Sequence, residues 1–141
     1  MIYCDTSLLV SALTVEVHST GAKSWLADQI AGDLCISNWV ITEFSSAISL
    51  KMRRKEVTTQ EHTKVLAHWR TFQMDHLSLL PVPHHAFDLA ARFADQYQLG
   101  LRASDALHLA VASLGGHSLA TLDKVMAEAA GAVGVMVVGV E

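Results

Sequence analysis

The sequence predicts an α/β fold, a three-layer α/β/α sandwich around a central five-stranded, mainly parallel sheet, with residues 1–141 forming a single domain. Three observations lead there. Five short apolar, β-rich runs alternate with longer segments of helical periodicity. Most of the runs are continuously apolar rather than alternating, the pattern of strands covered on both faces. Every gap between runs reads as helix, the connection that parallel neighbours require.

In chain order, residues 1–4 form the first strand, and Asp5 opens a helix that starts near Ser7. Ala22, Trp25, Leu26 and Ile30 recur at helical spacing before the second strand at 34–37. Val40, Ile41, Phe44, Ala47 and Ile48 form the stripe of the next helix, and Val65, Leu66, Trp69 and Phe72 that of the one after it. Pro81 closes the third strand, at 77–82, and Pro83 opens a helix with the stripe Phe87, Ala90, Ala91, Ala94 and Tyr97. Leu107, Ala110, Val111 and Leu114 mark a further helix, which Gly115 and Gly116 end. Strands at 118–122 and 133–138 enclose the last helix. No internal repeat, low-complexity segment or linker interrupts the pattern.

Composition narrows the function classes. With 51% hydrophobic and 17% charged residues, the chain has the make-up of a folded domain. Ten Lys and Arg against 14 Asp and Glu leave a net charge of −4, so nucleic acid cannot be bound by bulk charge and any such site must be local. The longest uncharged apolar stretch, 129–140, falls short of the ~18 residues of a spanning helix, and no membrane association is expected. The first residues lack a basic segment and carry Asp5 within the first apolar run, which does not read as a secretory signal. Cys4 and Cys35 both lie in strand-like runs, as buried small hydrophobes rather than a disulfide framework, and cytoplasm is the expected compartment.

In such a sheet, ligands collect at the carboxyl ends of the strands, where helices returning antiparallel also begin. Four acids fall on that rim. Asp5 ends the first strand and Asp123 follows the fourth, while Glu43 and Asp105 lie in the first turns of helices. Val40, three residues before Glu43, and Ala47, four after it, put this carboxylate on the inward stripe, where an uncompensated charge is costly. Asp28, Glu56, Glu61, Asp88 and Asp95 read as solvated faces. Each rim acid also has a purely structural reading: Asp5 as a helix cap, Asp105 as a dipole partner, Asp123 as the start of a turn. Converging carboxylates repel by roughly 1 kcal/mol per pair at 4 Å even in water, so a hard divalent cation is the natural counter-charge. An all-oxygen site suits Mg²⁺ or Mn²⁺ rather than zinc.

The segments YCDTSLLVSAL, ITEFSSAISLKMRR, LRASDALHLAVA and LATLDKVMAEAAGAVGV resemble, in order and spacing, the motifs of PIN-domain ribonucleases, and in style the VapC-type toxins of toxin–antitoxin modules. The resemblance spans essentially the whole chain. By motif it implies that Asp5, Glu43, Asp105 and Asp123 are the four catalytic acids, Asp123 being at the most variable position, and that Ser7 and Thr121 are supporting hydroxyls. It implies Mg²⁺- or Mn²⁺-dependent endonucleolytic cleavage of RNA leaving 5′-phosphate and 3′-hydroxyl ends. Asp5 and Asp105 would hold the metal, with Glu43 and Asp123 orienting its water or holding a second ion about 4 Å away. It further implies a cognate VapB-type antitoxin, whose C-terminal segment wraps the toxin, and a homodimer, for which the Trp69 stripe offers apolar surface.

Local cations complete the reading. Lys51, Arg53, Arg54 and Lys55 form a basic patch that either holds RNA phosphates at some distance from the acids or is an ordinary helix end favoured by the dipole. Arg102, three residues before Asp105, either contacts RNA or balances that acid. Of the eight histidines, His108 is placed to touch the site but reads first as a satisfied, partly buried side chain, and His84 and His85 have no evident partner. Two other functions compete: a catalytically silent PIN-like module that binds RNA or protein, and a Mg²⁺-dependent phosphatase-type domain. The latter needs an acid two residues after Asp5, where Ser7 stands.

Overall fold

The computed structural model describes residues 1–140. Its strands are β1 (Ile2–Cys4), β2 (Leu34–Ser37), β3 (Ser78–Leu80), β4 (Ser118–Ala120) and β5 (Val137–Val138). They form one sheet in the order β3-β2-β1-β4-β5, with every neighbouring pair parallel. The helices are α1 (Thr6–Leu13), α2 (Ser19–Ala27), α3 (Asn38–Arg53), α4 (Thr59–His76), α5 (His84–Asp95), α6 (Ala103–Leu114) and α7 (Lys124–Ala132). The chain winds from β1 outward to β3, then crosses back to β4 beside β1. Right-handed crossovers therefore put α1–α4 on one face and α5–α7 on the other, consistent with the packing of α1 on α2, α3 and α4 and of α6 on α5 and α7. The expected α/β/α sandwich is the observed one.

The reversal of winding falls between β1 and β4. A crevice opens at such a switch point, outside the carboxyl ends of the two strands. Both strands are central, and Tyr3, Cys4, Leu119 and Ala120 are fully buried, so the backbone that delivers Asp5 and Thr121 to the crevice is rigid. The Asp5 N–H still donates to Ala120 O, at 3.0 Å, tying the two strand ends together.

Local chemistry explains most boundaries. Thr58 and Glu61 form a reciprocal capping box at the start of α4, with the Thr58 hydroxyl accepting from the Glu61 N–H at 3.2 Å and the Glu61 carboxylate from the Thr58 N–H at 2.8 Å. Gly115 caps α6, and Gly116 adopts φ 64°, a conformation glycine reaches without strain. Cys4 and Cys35 are free, and burial pushes the Cys35 thiol up to about 11 and raises that of Cys4 further, which leaves both unreactive. No helix among the described residues is long and apolar enough to cross a membrane.

Several expectations need correction. The strands expected at 77–82, 118–122 and 133–138 are shorter, and 133–136 instead ends α7 and leads into β5. β3 and β5 are edge strands, so Leu79 is exposed rather than covered on both faces. α2 stops at Ala27, leaving Ile30 in the following loop and exposed. The inward face of α5 is Ala86, Ala90 and Phe93, one position out of phase with the expected stripe, while Phe87 faces solvent. Tyr97 lies beyond α5, in a short 3-10 turn, and is exposed. Trp69 is core, stacked on Phe44 with ring centroids 4.3 Å apart, and offers no interface.

Candidate active site

Asp5 sits where β1 becomes α1, and it is 3% exposed. As the N-cap of α1 it accepts from the Thr6 N–H at 2.7 Å and the Ser7 N–H at 3.3 Å, so the capping role considered from sequence is real. It is not the whole role. The hydroxyls of Ser7 and Thr121 also donate to Oδ2, at 2.6 and 2.8 Å. Those hydroxyls in turn accept from the N–H groups of Leu122 and Asp123, at 3.2 and 3.0 Å. Asp5 is thereby locked to the loop that carries Asp123, and the two hydroxyls predicted to order the site are the lock.

Glu43 reaches the same crevice from the second turn of α3. Its Oε2 accepts from the Thr6 hydroxyl at 2.6 Å and contacts Nε2 of His108, and a side-chain hydrogen bond from Ser104 adds to these. Burial pushes this carboxyl up, but the His108 hydrogen bond and charge, with the Thr6 and Ser104 hydroxyls, outweigh burial and hold it below the usual glutamate range. Glu43 is thus kept ionised in a half-buried place.

Asp105 and Asp123 complete the rim, with Asp123 capping α7 through the Met126 N–H at 3.0 Å. The Asp105 carboxyl is raised above its ordinary value, first by burial and next by the Asp123 charge, then by that of Asp5. A backbone hydrogen bond from Arg102 and the His108 charge act the other way without cancelling it. Mutual repulsion of this kind is what a bound cation would relieve. Arg102 is exposed at the start of α6, and among the described residues no ion pair joins its side chain to Asp105.

His108 belongs to the site more fully than its sequence context suggested. It is 1% exposed rather than partly buried, with Nδ1 2.8 Å from the Tyr3 hydroxyl and Nε2 at Glu43 and 3.6 Å from Asp5 Oδ1. Burial lowers its affinity for a proton, but the Glu43 hydrogen bond and the charges of Asp5, Glu43 and Asp105 raise it to a net value above the histidine norm. The rim expected to be all oxygen therefore contains a nitrogen. Asp5, Glu43 and His108 offer ligand atoms all within 4.8 Å of one another, a donor set with the charge and geometry to hold a divalent ion. Asp105 lies beside this group, where its charge raises His108, and the Asp123 charge acts in turn on Asp105.

These shifts set a pH dependence. Below its unfolded value near 6.5 the raised His108 contributes its full stabilisation, which is lost as pH rises through its folded value; the raised Asp105 has the same sign. The lowered Glu43 contributes stability above its unfolded value near 4.5. The metal-free protein should therefore melt at lower temperature at pH 8.5 than at pH 6.5. Mg²⁺ at a hundredfold excess over its dissociation constant should add about 2.7 kcal/mol and close the gap. Thermal melts at both pH values with Mg²⁺ or EDTA check this, and a Tm that Mg²⁺ does not move would count against a metal site.

The basic patch is elsewhere. α3 leads away from the rim, so Arg53 lies about 15 Å along the helix from Glu43. Lys51 is engaged by Glu16 at 2.6 Å and Glu56 at 3.6 Å, which leaves Arg53, Arg54 and Lys55 as the exposed cations.

Known proteins share this architecture. FitAcB of Neisseria gonorrhoeae superposes with a TM-score of 0.72 at 19% identity, over 99% of this chain and 98% of that one. VapC20 of Mycobacterium tuberculosis, a sarcin–ricin-loop-cleaving toxin, gives 0.74 at 18% identity over 98% of each chain. VapBC2 of Rickettsia felis, solved on a promoter DNA fragment, gives 0.61 at 17% identity, over 87% of this chain and 88% of that one. No curated protein matches the sequence. The family model for the PIN domain matches residues 2–132, from the first residue of β1 to the last of α7, so all four acids and both hydroxyls fall within it and the chain belongs to the PIN domain family.

Proposed function

We propose that this protein is a metal-dependent endoribonuclease, the toxin of a toxin–antitoxin pair, that hydrolyses RNA phosphodiester bonds. The observation that carries the proposal is the fixed Asp5 carboxylate at the switch point, with Glu43 on the same rim and Asp105 beside it, its carboxyl raised by burial and by the charges of Asp123 and Asp5. Asp5 and Asp105 would hold Mg²⁺ or Mn²⁺, with Glu43 and Asp123 completing the set. When bound, such an ion supplies a water of lowered pKa and neutralises charge on the scissile phosphate. Glu43, held ionised by Thr6 and His108, can accept a hydrogen bond from the attacking water and orient it for in-line attack. Ser7 and Thr121 prevent Asp5 from turning away. Arg102, exposed beside Asp105, can meet a phosphate of the bound strand.

Similar structures include toxin–antitoxin complexes, which supports an antitoxin partner for this chain. Phe87, Ala91 and Ala94 of α5, apolar and turned outward, suit contact with a second copy. The unreactive thiols fit a cytoplasmic setting. The reading is tested by incubating antitoxin-free protein with transfer RNA, ribosomal RNA and single-stranded RNA, in Mg²⁺, Mn²⁺ or EDTA. Cuts that need the metal are expected. Folded protein that cuts none of them in either ion would remove the nuclease assignment.

The basic patch yields a separate expectation. If Arg53 and Arg54 each hold one phosphate, replacing both by Ala should reduce the slope of log affinity against log salt by about 1.4 for single-stranded RNA. An unchanged slope would make the patch an ordinary helix end.

A further inference from the structure

His108 is a fully buried ring in the centre of the site to which the proposed chemistry gives only the charge that helps keep Glu43 ionised. A buried imidazole needs partners for both nitrogens, and such partners are usually backbone or neutral side chains. Here one side ends on the Tyr3 hydroxyl, which lies 2.8 Å from the Ser37 hydroxyl, and the other ends on Glu43 with Asp5 next to it. Two arrangements satisfy every group: with a neutral ring Ser37 donates to Tyr3 Oη and Tyr3 Oη–H to Nδ1, and with a protonated ring Nδ1–H donates to Tyr3 Oη and Tyr3 Oη–H to Ser37; in both, Nε2–H donates to Glu43 Oε2. The chain is anchored where rotation is impossible. Tyr3 is fully buried in the central strand β1, Ser37 is fully buried at the end of β2, and His108 stands on α6 across the sheet from α3.

Glu43 is the acid that needs such help. Asp5 has a short side chain and four donors, three from α1 and one from the β4–α7 loop. Glu43 has one more rotatable bond, and fixing it costs rotamer freedom of the order of 1.5–2 kcal/mol that its contacts must offset. Only hydroxyls from Thr6 and Ser104 otherwise meet it. A rigid ring that delivers an N–H to Oε2 fixes the plane of the carboxylate and so sets the direction of Oε1.

We propose that His108 is a positioning residue that fixes the Glu43 carboxylate for its metal-site role, with Tyr3 and Ser37 fixing the ring. This rests on the metal-dependent nuclease reading above. Two other tasks for the ring make different predictions: as a ligand its Nε2 would bind the ion directly, and as a mere counter-charge it would compete with the ion.

The test is Mn²⁺ binding by calorimetry to wild-type, His108→Leu, His108→Gln and Tyr3→Phe proteins, with electron spin-echo modulation of the bound Mn²⁺. Positioning predicts a dissociation constant raised about 10- to 100-fold in His108→Leu, as for other residues that orient metal ligands. His108→Gln, whose amide N–H can reach Glu43 as Nε2–H does, should recover most of the loss. Tyr3→Phe should shift affinity in the same direction by less, and it reads the same quantity should His108→Leu not fold. Wild-type Mn²⁺ should show no nitrogen coupling. Affinity unchanged or improved in folded His108→Leu overturns the positioning role, because a counter-charge or a packing residue would behave so. Nitrogen coupling overturns it in favour of ligation. Wild-type protein that binds no Mn²⁺ overturns the nuclease reading and this role with it, whereas wild-type binding matched by all three variants overturns this role alone.

Discussion

Asp5→Asn should leave a folded protein that no longer cuts RNA, with the rate down by at least about 10²–10³-fold, the scale of losing one fixed charge aimed at a developing transition state. The structure makes the folding half of this expectation quantitative. Asparagine keeps one acceptor, which must serve the Thr6 N–H because a backbone donor cannot turn away. Its amide N–H₂ then faces the Ser7 and Thr121 hydroxyls, which can rotate to accept. Each hydroxyl oxygen can accept a second time beside the Leu122 or Asp123 N–H, but the Ser7 N–H loses its acceptor at Oδ2 and the hydroxyl protons lose theirs, so one or two hydrogen bonds are lost, at about 1–3 kcal/mol. Removing one of four like charges offsets part of that. The metal-induced rise in Tm should vanish together with cleavage, while RNA affinity measured without metal should change little. A folded Asp5→Asn protein with wild-type cleavage would exclude the proposed role of the switch-point carboxylate; loss of RNA binding alone would point to a binding module.

The acids were legible in the sequence because their placement follows from topology. A residue that ends an apolar run, like Asp5, or sits in the first turn of the helix after it, like Glu43, lands on one rim whenever the strands are parallel. The strand order was not legible, since connection lengths do not say on which side of β1 the returning chain enters. That order decides the site, because it puts Asp123 beside Asp5 rather than several strands away. The short edge strands were overcalled for a related reason: apolar runs such as 133–138 continue through a helix end and a turn, and periodicity cannot separate these from strand. In α5, alanines occur on both faces, so the stripe had no unique phase and Phe87 was placed inward.

The polar support of the site was legible only in part. Ser7 and Thr121 stand two residues from an acid in sequence, and their hydroxyls meet Asp5 as expected. Tyr3, Thr6, Ser37 and Ser104 were missed, because their partners lie across the sheet and no local spacing announces a contact 34 or 105 residues away. His108 did carry a signal, one helical turn after Asp105 on the same face. The usual rule for a histidine among apolar residues pointed to a packed side chain, and burial is correct. Its satisfaction is correct too, but no spacing in the sequence shows that the partners are Tyr3 and the acids Glu43 and Asp5.

Phe44→Ala should cost the most stability of any single change considered, about 3–5 kcal/mol, with a further contribution of about 0.5–1.5 kcal/mol from the lost ring pair. Phe44 is fully buried and stacks on Trp69 at an interplanar angle of 19°, which joins α3 to α4. Truncation would leave a cavity beside the Trp69 ring, whose Nε1 already lacks a partner, so the surroundings gain nothing polar by collapsing into it. Against a total stability of about 5–15 kcal/mol, this is a third or more for most domains of this size. With a urea slope of about 2 kcal/mol/M, the unfolding midpoint should fall by about 2 M. The same helix carries Glu43 on the adjacent position, held at its far end by Thr6, Ser104 and His108 rather than by Phe44. Metal-dependent cleavage measured in the cold, where the variant is still folded, should therefore stay within a few-fold of wild type, so that stability and activity separate at neighbouring residues. A Phe44→Ala midpoint equal to wild type would mean that α3 is not held through this pair, and cleavage lost in the cold would mean that Glu43 depends on the core beneath it.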